Sequence, residues 1–276
     1  MRLLSPTDVR ALLSAHSVRP SRALGQNFLA DPNTARRIVR LADVGPAERV
    51  LEVGPGVGSL TLALAEAAAE VVALELDRHL LAVLEDVLAG QPAVRVVHGD
   101  ALRVDYETLL APGPWAMVSN LPYNVATPLL ARLLDDVPRL ERLVVMVQKE
   151  VAERLAAPPG TRQCGAISVK VAYHATASIV GVVPPTVFVP RPAVDSAVVV
   201  FGRRSAPPVE VPSAERLFAL ARAGFAQRRK TLRQALRALL GDGAGDVLAS
   251  AGLDPGARAE TLHLEEWAAL ARAAPG

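Results

Sequence analysis

Between residues 50 and 156 apolar strand-like runs alternate with helix-like stretches, and this predicts an α/β fold: a parallel sheet wound with helices on both faces. Two further β-rich runs, 167–183 and 196–203, predict that the sheet ends in an antiparallel hairpin. A helical pattern that begins at 213, after a proline-rich stretch, predicts a small all-helical C-terminal domain.

The elements follow in order. The first thirty residues read as a polar arm carrying one short helix, roughly Pro6 to Ala15. Strand-like runs occur at 50–54, 71–76, 94–98, 116–119 and 143–147, with helix-like stretches near 58–68, 78–89, 126–135 and 149–156. The stretch PPTVFVPRP joins the two later β-rich runs, and its prolines favour extended backbone. The segment 203–212, RRSAPPVEVP, reads as a linker. It is followed by one long helical pattern over 213–240, then GDGAG and two short helices. The domain boundary falls near 205, giving domains 1–205 and 206–276.

Composition narrows the function classes. Of 276 residues 51% are apolar but only 4% aromatic, so Ala, Val and Leu build the core. No apolar run reaches the eighteen or so residues of a membrane span, and the start MRLLSPTDVRALL lacks the apolar stretch of a secretory leader. A cytoplasmic protein with no membrane partner is expected. With Cys164 alone no internal disulfide forms, and five scattered histidines make a metal site unexpected. The net charge is +2 and the pI about 9.0. Three of the thirty basic residues are Lys, a bias that a GC-rich coding sequence also produces, so Arg content alone says little about RNA.

The strand VLEVG runs into GPGVGSLT. Gly54, Gly56 and Gly58 allow a tight turn and close approach of a ligand to the backbone, and the helix that follows favours negative charge at its start. An ordinary strand-to-helix turn looks the same in isolation. Two acids sharpen the reading. Glu75 ends the next strand, where a carboxylate can accept from both hydroxyls of a ribose. Asp100, in VVHGDAL, ends the third strand and can face an adenine. Strand ends of a parallel sheet open on one edge, where ligands bind. Either acid alone would read as a solvated strand end.

The fourth strand ends in Ser119-Asn120-Leu121-Pro122-Tyr123. The exocyclic amine of adenine is a poor nucleophile, because its lone pair is delocalised into the ring. The Asn120 side-chain oxygen and the Leu121 carbonyl can hold its two N–H groups and keep the lone pair aimed at a methyl sulfonium. Pro122 stiffens this loop, and Tyr123 can stack on a base turned out of its helix. Positioning is then the main catalytic device. A proline turn after a buried strand is the plainer reading of the same letters. Cys164, in TRQCGAIS, reads as an inert small residue.

The chain resembles the ribosomal RNA adenine dimethyltransferases. The resemblance rests on RALGQNFLADP, VLEVGPGVGSLT, VVALELD, HGDAL, SNLPYNVATPLL, VVMVQKEVAERL, VFVPRPAVDSAVV and FAQRRKTLRQAL, which span residues 22 to 236. It implies a Rossmann-like class I methyltransferase sheet and S-adenosyl-L-methionine as cofactor, held by Asn27, Leu29, Gly54, Gly56, Glu75, Asp100 and Asn120. It implies Asn120, Leu121 and Tyr123 at the target amine, with Phe188 covering the other face of the base. Without the resemblance Phe188 reads as a core residue. Ala166 after Gly165, and Gln234, depart from a commoner Arg and Asn of the family, which bears on RNA contacts rather than on the cofactor.

From Arg216 to Leu240 there are seven basic residues and no acidic ones. Arg222, Arg228, Arg229, Lys230 and Arg233, with Arg22 in the arm, are expected to grip RNA phosphates. A solvated amphipathic helix is the alternative, and Phe218 and Phe225 read as core. The resemblance further implies dimethylation of two adjacent adenines near the 3′ end of small-subunit ribosomal RNA, within an immature subunit, by a monomer. Three alternatives stay open: a macrolide-resistance methylase acting on large-subunit RNA, a non-catalytic assembly factor, and a small-molecule methyltransferase, which would not need the basic helix.

Overall fold

The computed structural model describes residues 2–21, 23–122 and 125–275. It divides into two compact units, Met1–Ala152 with Ser178–Arg203, and Glu153–Ala177 with Arg204–Gly276. The chain therefore does not divide once near 205 into 1–205 and 206–276. Residues 153–177 belong with the C-terminal helices, because Cys164, Val169 and Tyr173 are buried in that unit's core.

In the first unit helix α1, Pro6–Ala15, is opened by local chemistry. The Ser5 side chain caps the Asp8 N–H, Asp8 reaches back to the Ser5 N–H, and Pro6 takes the first helical position. Val9 and Leu13 then pack against Phe28, Val57, Leu80 and Val83. After strand β1, Phe28–Leu29, comes α2, Pro32–Leu41, which the sequence reading did not foresee. It starts in the same way, on an Asp31 cap and Pro32.

The alternating region then runs as expected, except for the short helix α5, which the sequence reading did not foresee: β2 Arg49–Val53, α3 Ser59–Ala65, β3 Glu70–Glu75, α4 Arg78–Val87, β4 Val94–His98, α5 Tyr106–Leu109, β5 Trp115–Asn120, α6 Ala126–Asp136, β6 Leu140–Gln148 and α7 Lys149–Ala156. Helix α8, Ala166–His174, precedes β7 Ala175–Val183, β8 Phe188–Val189 and β9 Ser196–Arg203. Seven strands form one sheet in the order β4-β3-β2-β5-β6-β9-β7. Strands β4 to β6 are parallel, and β9 runs antiparallel to β6 from Arg142↔Gly202 to Gln148↔Ser196. The expected antiparallel end of the sheet is there. Central strands are buried on both faces, which is why they read as nearly continuous Val and Leu. Strand order reverses between β2 and β5, and a crevice opens at such a reversal. The Arg203 guanidinium, from β9, donates to the carbonyls of Leu133, Leu134, Val137 and Leu140, and so caps the end of α6.

Two expectations fail locally. The run 167–183 is not all β, since α8 occupies its first half. Ile167, Val169, Val171 and Tyr173 are all buried there, so the helix shows no polar face and no 3.6-residue signal. The pattern 213–240 is not one helix. Helix α9, Ala214–Ala226, stops at Gln227, and Thr231 caps a new helix α10, Leu232–Leu240, by accepting from the Gln234 N–H. With α11 Ala244–Ser250 and α12 Leu264–Ala273 these helices enclose Trp267, Leu217, Leu236 and Leu248. Phe218 meets Tyr173 edge-on, and Phe225 stacks on Trp267, so both phenylalanines are core side chains.

Candidate active site

Asn27, Leu29, Gly54, Gly56, Glu75, Asp100 and Asn120 all border one cavity at the C-terminal edge of the parallel strands. The elements bring them there for local reasons. The Ser119 hydroxyl accepts from the Val53 N–H at 2.9 Å, which pins the end of β2 to β5. Gly54 has φ +72°, and a Cβ there would lie 3.4 Å from the Pro122 ring. Gly56 has φ +62°, and a Cβ there would enter the Phe28 ring at 2.7 Å, so a bare backbone lets the arm lie over the turn.

Glu75 is 6% exposed. Its Oε2 accepts from the Gly56 N–H at 3.1 Å and its Oε1 from the Asp77 N–H at 2.8 Å. Burial pushes its carboxyl above the ordinary range, with those N–H groups pulling the other way. Each carboxylate oxygen keeps lone pairs for a further donor. Asp100 lies two residues beyond β4, and its Oδ1 accepts from the Leu102 N–H at 2.8 Å. Asn120 closes β5, and its Nδ2 donates to the Asn27 carbonyl at 3.3 Å, tying the arm to the strand end. Leu121 is buried and held by its N–H to the Met146 carbonyl at 3.0 Å.

Three features of this cavity were not singled out in the sequence. Glu52 lies fully buried at its wall, with Oε2 unpartnered, and the Ser59 hydroxyl beside the cavity is unpartnered as well. The signal was a lone carboxylate inside the apolar run VLEV. Leu76 and Leu102, both on the cavity wall, are 49% and 37% exposed, so they offer apolar surface to a flat ligand there. Gln26 donates to Asp77 at 2.8 Å, which holds the arm against the start of α4.

These groups fit an adenosyl cofactor. Glu75 suits ribose hydroxyls, the two leucines suit a purine face, Asp100 suits its amine, and the orphaned Glu52 oxygen suits a cationic end. The residue pattern described as Ribosomal RNA adenine dimethylase matches residues 18–274. The chain belongs to that family.

The family's relatives agree in length as well as sequence. Ribosomal RNA small subunit methyltransferase A of Kineococcus radiotolerans is 50% identical over 99% of this chain and 92% of its own. The protein of the same name from Thermobifida fusca is 50% identical over 99% of this chain and 97% of its own. Among solved structures, the 23S rRNA methyltransferase ErmE aligns with a TM-score of 0.67 at 29% identity, over 90% of this chain and 99% of that one. A dimethyladenosine transferase from Plasmodium falciparum aligns at 0.73 with 23% identity, over 88% and 95%, a likeness of fold.

Not every expected family position reaches the cavity. Phe188 is 3% exposed, pairs with Leu29 in the β1–β8 ladder and sits in the core, and it is absent from the cavity wall. Tyr123 and Arg22 lie outside the described residues. In the second unit Arg222, Arg229, Lys230 and Arg233 are exposed, with Arg229 and Lys230 in the turn between α9 and α10. Arg228 is engaged: it donates to the Arg162 carbonyl, pairs with Glu260 at 3.1 Å and lies over the Phe225 ring.

Proposed function

We propose that this chain transfers methyl groups from S-adenosyl-L-methionine to N6 of two adjacent adenines near the 3′ end of small-subunit ribosomal RNA, giving N6,N6-dimethyladenosine. We place it in the cytoplasm, acting as a monomer on an immature small subunit. The observation that carries the reading is one cavity bordered by every residue expected to hold the cofactor, with Asn120 and Leu121 among its lining residues.

The cofactor supplies an electrophilic methyl carbon on a sulfonium. The protein's part is to hold and orient. Glu75 takes the ribose hydroxyls, Asp100 the adenine amine, and Gly54 and Gly56 let backbone close in. Asn120 and the Leu121 carbonyl accept from the two N–H groups of the target amine, so its lone pair points at the methyl carbon. Tyr123 stacks on the extruded base. Phe188 pairs with Leu29 in the β1–β8 ladder, and a role against the base would need its side chain to leave the core. No described helix is long and apolar enough to cross a membrane.

The test is methyl transfer by the purified protein to immature small subunits from cells lacking the activity, beside large-subunit RNA. Dimethyladenine at two neighbouring small-subunit positions is expected. Transfer confined to large-subunit RNA, with macrolide resistance in expressing cells, would replace this reading with the resistance methylase. RNA binding without transfer would replace it with an assembly factor.

Arg222, Arg229, Lys230 and Arg233 are read as phosphate contacts. RNA affinity should then fall by about 0.7 log units per contacted phosphate for each decade of salt on single strands. A variant with Arg229→Ala and Lys230→Ala should show a shallower slope. Because Arg228 is paired with Glu260, Arg228→Ala should change the slope less. Equal slopes in wild type and the double variant would make this turn a merely solvated one.

A further inference from the structure

Asp100 is held from a distance in sequence. Its Oδ1 accepts from the Leu102 N–H at 2.8 Å. That N–H belongs to the same peptide group as the Ala101 carbonyl, and a peptide group is planar, so the direction of one fixes the direction of the other. The Ala101 carbonyl accepts twice: from the Tyr106 hydroxyl at 2.8 Å and from Arg132 Nη1 at 3.0 Å. Arg132 also donates through Nη2 to the Val104 carbonyl at 2.8 Å, so one guanidinium spans both ends of the turn 101–104. The guanidinium lies over the Tyr106 ring, 5.1 Å from its centre, and Tyr106 is 4% exposed. Arg132 comes from α6, the helix that follows the loop after Asn120.

We propose that Tyr106 and Arg132 are positioning residues that set the base specificity of the cofactor cleft, by fixing which oxygen of Asp100 is left to meet the purine. The proposal rests on the reading that Asp100 faces the adenine amine. With Oδ1 committed to Leu102, Oδ2 remains, near Arg103 at 3.5 Å, whose side chain is 87% exposed. A fixed carboxylate oxygen accepts from a 6-amino group and repels a 6-oxo group. A carboxylate free to turn and to be met by water discriminates less. Neither Tyr106 nor Arg132 borders the cavity, so their effect passes through the peptide group.

The experiment compares the affinities of S-adenosylhomocysteine and S-inosylhomocysteine by calorimetry, for wild type, Tyr106→Phe, Arg132→Met and Asp100→Asn. Arg132→Met should reduce the preference for the adenine ligand about tenfold, equal to about 1.4 kcal/mol. Tyr106→Phe, which removes only a hydroxyl, should shift it in the same direction by less. Asp100→Asn should move the preference toward the inosine ligand, since an amide can donate to an oxo group. Equal weakening of both ligands in Arg132→Met and Tyr106→Phe would make the pair a support of the fold and overturn the proposal. A changed preference in Asp100→Asn, with the wild-type ratio in both other variants, would overturn the proposal and leave the Asp100 reading standing. A wild-type ratio in Asp100→Asn would remove that reading, and the proposal with it.

Discussion

Replacing Glu52 with Gln is expected to flatten the pH dependence of the cofactor-free protein's stability. Burial holds the Glu52 carboxyl proton up to about pH 8, against 4.5 for an ordinary glutamate; the Thr61 hydroxyl lies close enough to oppose this without making a full hydrogen bond, and the Glu75 charge adds to it. Between those two values the folded protein carries a proton that the unfolded chain has lost. Stability is therefore full below the unfolded value and falls as pH rises through the window. The slope is about 1.4 kcal/mol per pH unit. Across the window this comes to about 4–5 kcal/mol. Gln has no proton to lose, so Glu52→Gln should gain on wild type steadily from pH 5 to pH 8. Melting temperatures measured over that range test this. Parallel curves for the two proteins would mean that Glu52 is charged and compensated in the fold.

Replacing Asn120 with Ala is expected to cut the single-turnover methylation rate by about 10²–10³, the usual cost of removing one preorganised polar contact at a reacting group. Its counterpart is Glu75→Ala, which should cost about 1–3 kcal/mol in cofactor affinity, the range for removing a charged acceptor. The contrast is the informative part. Asn120 also ties Asn27 to the end of β5, so some loss of cofactor affinity accompanies its loss of rate. If Asn120→Ala loses rate only in proportion to affinity, Asn120 acts on the cofactor alone and the amine-orienting role falls. Stopped-time assays at saturating RNA, beside calorimetry, separate the two.

The cofactor half of this site was legible because its signals are local. Glycines follow a strand, and acids stand at or just past strand ends, so Gly54, Gly56, Glu75 and Asp100 could be placed once the sheet was seen. The arm residues Asn27 and Leu29 rested on resemblance, since no local pattern says that a segment folds back over a turn. Phe188 shows the limit: an aromatic in FVPRP fits a stacking role and a core role equally, and the sequence does not say that its side chain is buried, at 3% exposure, in this structure. Tyr106 and Arg132 were invisible for a different reason. Their function lies in donating to backbone carbonyls, and a carbonyl leaves no mark on the sequence. Helix α8 was misread because burial on all sides erased its periodicity. The break at Gln227 was missed because Thr231 is an ordinary residue until its capping geometry is seen.

The interleaving of the two units bears on how the chain is made. Strand β6 closes its ladder only with β9, where Gln148 meets Ser196 and Arg142 meets Gly202. During synthesis from the N-terminus, the apolar edge of β6 waits for roughly another fifty residues to emerge, and an unpaired edge of this kind invites association. Helix α8 waits longer. Val169 and Tyr173 find their neighbours Leu217, Phe218 and Trp267 only when nearly the whole chain is available. A chain truncated just past 205 would thus have every strand of the sheet but leave the apolar side chains of α8 without these neighbours, the kind of surface that holdase chaperones bind.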